Sequence, residues 1–121
     1  MLKEHLEFFT VDLSGGWSPP PGYPPGIEEK RLAGSLDESR RYGCRTRLLR
    51  FAPGAFTTLP FEHTYWEEVF LVQGDLSVGG ERFEPFTYAV RPPGTPHGPF
   101  KSEGGCLLFE IHYFEPGEKR S

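Results

Sequence analysis

The chain has 121 residues, enough for one ordinary domain and too few for two. It carries 13 Lys plus Arg against 17 Asp plus Glu, a net charge of −4, which gives no basic face of the kind that nucleic-acid binding needs. No apolar stretch has the length of a membrane span or of a signal peptide, so a cytoplasmic protein without nucleic-acid or membrane partners is expected.

In chain order, residues 1–13 contain an expected short edge strand around "LEFFTVDL". The next segment, "SGGWSPPPGYPPG", is too rich in proline and glycine for helix or central strand and reads as an extended arm with polyproline character. Its Trp17 and Tyr23 need cover, either from the domain's own outer surface or from a dimer partner. "EEKRLAGSLDESRRYG" reads as charged and irregular. The arm region is therefore taken as 1–42, a barrel as 43–116 and a tail as 117–121. Within the barrel, "CRTRLLRFA" alternates like a half-buried strand, with its arginines on a solvated face. "FTTLPFEHTY" is a second extended run interrupted at Pro60, and "EEVFLVQG" is a buried strand closed by Gly74. "DLSVGGERFE" is a hairpin turning at Gly79-Gly80. "TYAVRPPGTPHGPF" is a strand followed by a Pro/Gly turn, and "GGCLLFEIHYFEP" is a last long strand stopped by Pro116. Short strands at this spacing indicate an all-β sandwich or barrel. Cys44 and Cys106 are expected as reduced, buried small hydrophobes.

The chemistry-bearing residues fall on two of these segments. In "PFEHTYWEEVF", His63 and Glu67 are expected to flank a bend in β-structure, because the residues around them favour strands. His97 follows on the turn "PPGTPHGP". Two imidazoles and a carboxylate converging inside a barrel suit a divalent metal with open positions. Glu68 should face away from Glu67 by alternation, solvated or paired with an arginine, and His5 should be a surface residue. Glu110 and His112 share one face of the last strand; if that face is inward, His112 can reach the site. Glu62, Tyr65 and His112 are the candidates for moving protons. Phe61, Trp66, Phe70, Phe100 and Phe109 are candidate pocket-lining aromatics that a small barrel also needs for its core.

These spacings resemble the cupins, whose first motif reads G-x5-H-x-H-x3-4-E-x6-G and whose second reads G-x5-P-x-G-x2-H-x3-N. Gly54, His63, Glu67 and Gly74 fall on the first motif, and Pro92, Gly94 and His97 on the second. The interval after Gly54 is one residue longer than the pattern. Phe61 stands at the first histidine, Phe86 at the first glycine of the second motif, and Lys101 at its asparagine. The combination is similar to ChrR-like cupins and to acetylacetone and dihydroxyacetophenone dioxygenases.

The resemblance implies a single-domain RmlC-like jelly-roll barrel with an N-terminal Pro/Gly-rich arm. It also implies a metal held by His63, Glu67 and His97, with Fe(II) favoured and Zn, Mn or Ni as alternatives. The missing ligand leaves three outcomes: water, a substitute such as His112, or no metal and a hydrogen-bonded cluster that binds a ligand directly. The function implied first is a metal-dependent dioxygenase-like enzyme acting on a small carbonyl or phenolic compound, in a homodimer. A non-catalytic sensor or binding module and a sugar isomerase or epimerase are the alternatives, since fold alone does not decide among them.

Overall fold

The computed structural model describes residues 3–115; the expected tail and Pro116 lie outside the described residues. The chain runs through β1 (Ile27–Asp37), β2 (Tyr42–Phe51), β3 (Trp66–Gly74), β4 (Leu76–Val78), β5 (Glu81–Phe83), β6 (Thr87–Arg91), β7 (Phe100–Lys101) and β8 (Cys106–Tyr113). No helix occurs among the described residues. The strands form a five-stranded sheet in the order β1-β2-β8-β3-β6 and a three-stranded sheet in the order β5-β4-β7, with every strand pair antiparallel.

Alternation along the three central strands of the larger sheet builds the interior. Leu49 and Phe51 of β2, Leu71 of β3, and Cys106 and Leu108 of β8 face Leu76 of the smaller sheet and close an apolar core with Ile27 and Ala55. Continuing along the same inner faces, the residues turn polar: Arg47 and Arg45 on β2, Glu110 and His112 on β8, and Glu67 on β3. One end of the interior is hydrocarbon and the other is charged. Gly74, at the end of β3, adopts φ 87°, and a Cβ there would stand 2.0 Å from the Gly105 carbonyl oxygen. Only glycine lets β3 pass so close to the start of β8.

Four expectations change. Residues 27–37 are not irregular but form β1, whose charged side chains pair across the strands: Arg50 meets Glu28 at 2.8 Å, and Arg47 meets Glu29 at 2.8 Å. The arginine face of β2 is not solvated, because Arg45 and Arg47 are in phase with Leu49 and Phe51; Arg47 is 3% exposed. "FTTLPFEHTY" makes only isolated bridges, Phe56 to Lys101 and Phe61 to His97, consistent with the missing N–H of Pro60. The segment around "LEFFTVDL" forms no strand; its Phe8 and Phe9 are exposed and meet no sheet edge. The arm beyond it packs on its own chain, with Arg50 over the Trp17 ring at 4.0 Å and Tyr23 stacked on Phe61 at 4.7 Å. His5 is on the surface, bonded to Glu7, and both cysteines are free thiols.

Candidate metal centre

Glu67 is fixed by β3, whereas His63 and His97 come from loops that hold each other. Phe61 N–H donates to the His97 carbonyl at 2.8 Å, His97 N–H returns the bond to Phe61 at 2.9 Å, and Gly94 N–H donates to the His63 carbonyl at 2.9 Å. The result brings one ligand atom from each of His63, Glu67 and His97 within 4.8 Å of the others. His97 Nδ1 lies 3.0 Å from the Thr95 carbonyl oxygen. A carbonyl only accepts, so Nδ1 carries a proton, and Nε2 faces Glu67 Oε1 at 3.4 Å. His63 Nε2, 3.8 Å from Glu67 Oε2, is buried and has no hydrogen-bond partner. Burial pushes His63 down to about 4, against the pull of Glu67, so its imidazole is neutral at neutral pH. Two imidazole Nε2 atoms converge with a carboxylate, and that of His63 has no hydrogen-bond partner. That donor set fits a divalent cation.

Glu67 belongs to a longer row. Across β2, β8, β3 and β6, the register places Arg45, His112, Glu67 and Arg91 side by side. Arg45 Nε donates to His112 Nδ1 at 2.9 Å, which puts the ring proton on Nε2. That Nε2 lies 3.0 Å from Glu67 Oε2 and 3.1 Å from Glu110 Oε1, and Arg91 donates to Glu67 Oε1 at 2.9 Å. His112, fully buried, therefore reaches the site as a donor to two carboxylates. Beside it, Arg47 is held by Glu110 and Glu29, each at 2.8 Å, and by the Tyr23 hydroxyl at 3.3 Å. Burial opposes the charge of Glu110, but Arg47 and His112 outweigh it and keep the carboxyl below the ordinary carboxylate range. Glu67, Glu110 and His112 also have ligand-type atoms within 4.8 Å, but their interactions form an ion network with the flanking arginines.

Of the expected pocket aromatics, Phe61 and Phe100 lie beside the site, with ring centroids 6.2 and 5.8 Å from His97. Trp66, Phe70 and Phe109 do not: alternation turns them to the opposite face of the sheet, where Trp66 stacks on Tyr113 and Phe70 on Phe86. Glu62 is exposed, in the wall of the cavity that also holds His63. Glu68 lies on the face opposite Glu67 and accepts from the Tyr88 hydroxyl rather than from an arginine. Tyr65 is 6% exposed, between His63 at 4.6 Å and His112 at 4.7 Å. Burial, then Glu67, pushes its hydroxyl well above the ordinary tyrosine range, so it holds its proton.

A polar cavity of about 370 Å³ opens beside His63, with Arg45, Arg47, Tyr23 and Tyr65 in its wall. A smaller interior space of about 30 Å³, room for about one water, touches Glu67, Arg91 and His97. A larger groove of about 900 Å³ runs between residues 22–26 and 52–61, and its wall holds no histidine, cysteine or carboxylate, whereas His63 lines the polar cavity and Glu67 and His97 the smaller space. Arg45, Arg47 and Arg91 are the site residues that sequence reasoning missed. Their signal was phase: Arg45 and Arg47 share the parity of Leu49 and Phe51, the residues most plainly destined for the core.

The family model for the ChrR cupin-like domain matches residues 15–113. Among solved structures, an RmlC-like cupin from Shewanella frigidimarina is similar at TM-score 0.68 and 16% identity, over 97% of each chain. An acetylacetone dioxygenase from Acinetobacter johnsonii is similar at TM-score 0.63 and 17% identity, over 98% of this chain and 85% of that one. The anti-sigma ChrR complex with SigE from Rhodobacter sphaeroides is similar at TM-score 0.63 and 18% identity, over 83% of this chain and 50% of the matched chain. None of the curated proteins matches.

Proposed function

The chain belongs to the ChrR cupin-like family, and from that premise we propose that it is a metal-dependent, dioxygenase-like enzyme acting on a small carbonyl or phenolic compound. The observation that carries the reading is the convergence of His63 Nε2, which has no hydrogen-bond partner, and His97 Nε2 on Glu67. These three residues would hold the ion, with Fe(II) favoured over Zn, Mn or Ni. When bound, it supplies Lewis acidity and, as iron, redox capacity to a chelating oxygen ligand.

The chain's own residues do the rest. Arg91 and His112 each hold one oxygen of Glu67, so the carboxylate is oriented before any ion arrives. We read His112 as this positioning donor rather than as the fourth ligand, because its Nδ1 is capped by Arg45 and its Nε2 carries the proton. Phe61 turns an apolar ring toward the histidines and limits water there. Tyr65 keeps its proton and serves as a donor, not as a base.

Metal analysis of untagged protein tests this reading: about one divalent ion per chain is expected, lost in His97→Ala. A wild type that holds no metal and takes none up would refute it. Oxygen uptake with β-diketones and hydroxyacetophenones then separates enzyme from module. The similarity to an anti-sigma ChrR chain supports the second reading, a non-catalytic metal-binding regulatory domain, which gains if metal is bound and no such compound is turned over.

A further inference from the structure

Among the described residues, no carboxylate pairs with Arg45. Its Nε is engaged by His112 Nδ1, its guanidinium lies over the Tyr65 ring at 5.5 Å, and no described acid pairs with its two remaining nitrogens. It lines the 370 Å³ cavity whose wall also holds His63. The other arginine there, Arg47, is already matched by Glu29 and Glu110. Of the remaining acids in that wall, Glu38 accepts from Thr64 at 3.0 Å, and Glu62 is exposed. No described residue hydrogen-bonds the Tyr65 hydroxyl, and Tyr65 lies in the same cavity wall. Thus one wall of the cavity presents two Arg45 nitrogens and the Tyr65 hydroxyl as donors that no described residue uses, one ring away from His63.

A planar fork of donors beside a single hydroxyl is matched by a carboxylate, which accepts at two oxygens in the guanidinium plane. We propose that this wall is a carboxylate-binding subsite, and that the substrate is a small organic acid whose carboxylate lies several bonds from the end that chelates at His63, Glu67 and His97. The inference rests on the metal-site reading for the chelating end and on Arg45 and Tyr65 alone for the acid end.

Two ligands of equal length test it: heptane-2,4-dione, and 4,6-dioxoheptanoate, in which a carboxylate replaces the terminal methyl of the same diketone. Calorimetric titration of metal-loaded wild type should show the acid binding at least about tenfold tighter, a difference of about 1.4 kcal/mol. Arg45→Gln should erase that preference, and Tyr65→Phe, which leaves the Arg45–His112 bond in place, should reduce it several-fold. Equal binding of the two ligands by wild type, or a preference that survives both substitutions, overturns the subsite and leaves the metal reading standing. If instead the protein takes up no metal but still prefers the acid through Arg45, the metal reading fails and the subsite stands.

Discussion

Phe61 occupies the position where the family pattern has a histidine, and its surroundings explain why a ring is kept there. It stacks on Tyr23 at 4.7 Å, approaches Phe100 at 6.3 Å, and its backbone carries the two-bond bridge to His97. Because the backbone supplies the bridge, Phe61→His should keep the loop. It would add an imidazole next to the ligand cluster while losing an aromatic pair worth about 1 kcal/mol. Metal affinity, read by chelator competition, should rise at least about tenfold. His63 gives a second residue-scale prediction. In metal-free protein it takes up a proton near pH 4, whereas in the unfolded chain it does so near 6.5. The unfolded state is therefore favoured progressively as pH falls from 6.5 toward 4, and stability is full above that window. His63→Gln should flatten this part of the urea-midpoint profile. The difference between pH 7 and pH 5 should shrink by about 1 kcal/mol, allowing for partial solvent screening.

At the scale of elements, the site is a row on a sheet. Cross-strand neighbours alternate in charge and donor capacity from Arg45 to Arg91, and the next inward row contains Arg47 and Glu110. Glu110→Gln would leave Arg47 buried with Glu29 and Tyr23 but without its nearest buried carboxylate. The expected loss is about 3 kcal/mol, measured by urea unfolding at pH 7. An Arg47→Met, Glu110→Gln double variant should lose less than the two single variants combined, because each single change strands the other's charge. The same rows explain what was legible from sequence. β2, β3, the β4–β5 hairpin and β8 are readable because β2 alternates polar and apolar residues, β3 and β8 carry apolar runs rich in strand formers, and the hairpin turns at Gly79-Gly80. β1 is not, because an edge strand with charges on both faces has no apolar phase to detect; its acids find their arginines only after β2 lies beside it. His63, Glu67 and His97 were legible through spacing, whereas Arg91 lay in a Pro/Gly-flanked run with nothing to mark its direction.

On the scale of the whole molecule, one interior is divided between a hydrocarbon core and a charged centre built on the same strands. Binding at the centre is therefore coupled to the stability of the entire fold. An ion that binds only the folded chain should stabilise it by about 2.7 kcal/mol at a free concentration one hundred times its dissociation constant. Differential scanning calorimetry should show Tm rising with added Fe(II) or Zn(II) and falling with a chelator, and His97→Ala should abolish the dependence.

The three proposed ligands stand on unlike supports. Glu67 is bolted to a five-stranded sheet and clamped at both oxygens, while His63 and His97 ride on two loops that are fastened mainly to each other through Phe61 and Gly94. The candidate centre thus has one ligand on rigid sheet and two on paired loops. If an ion is held there, the sheet would set its position and the paired loops its room to adjust to ions of different radius.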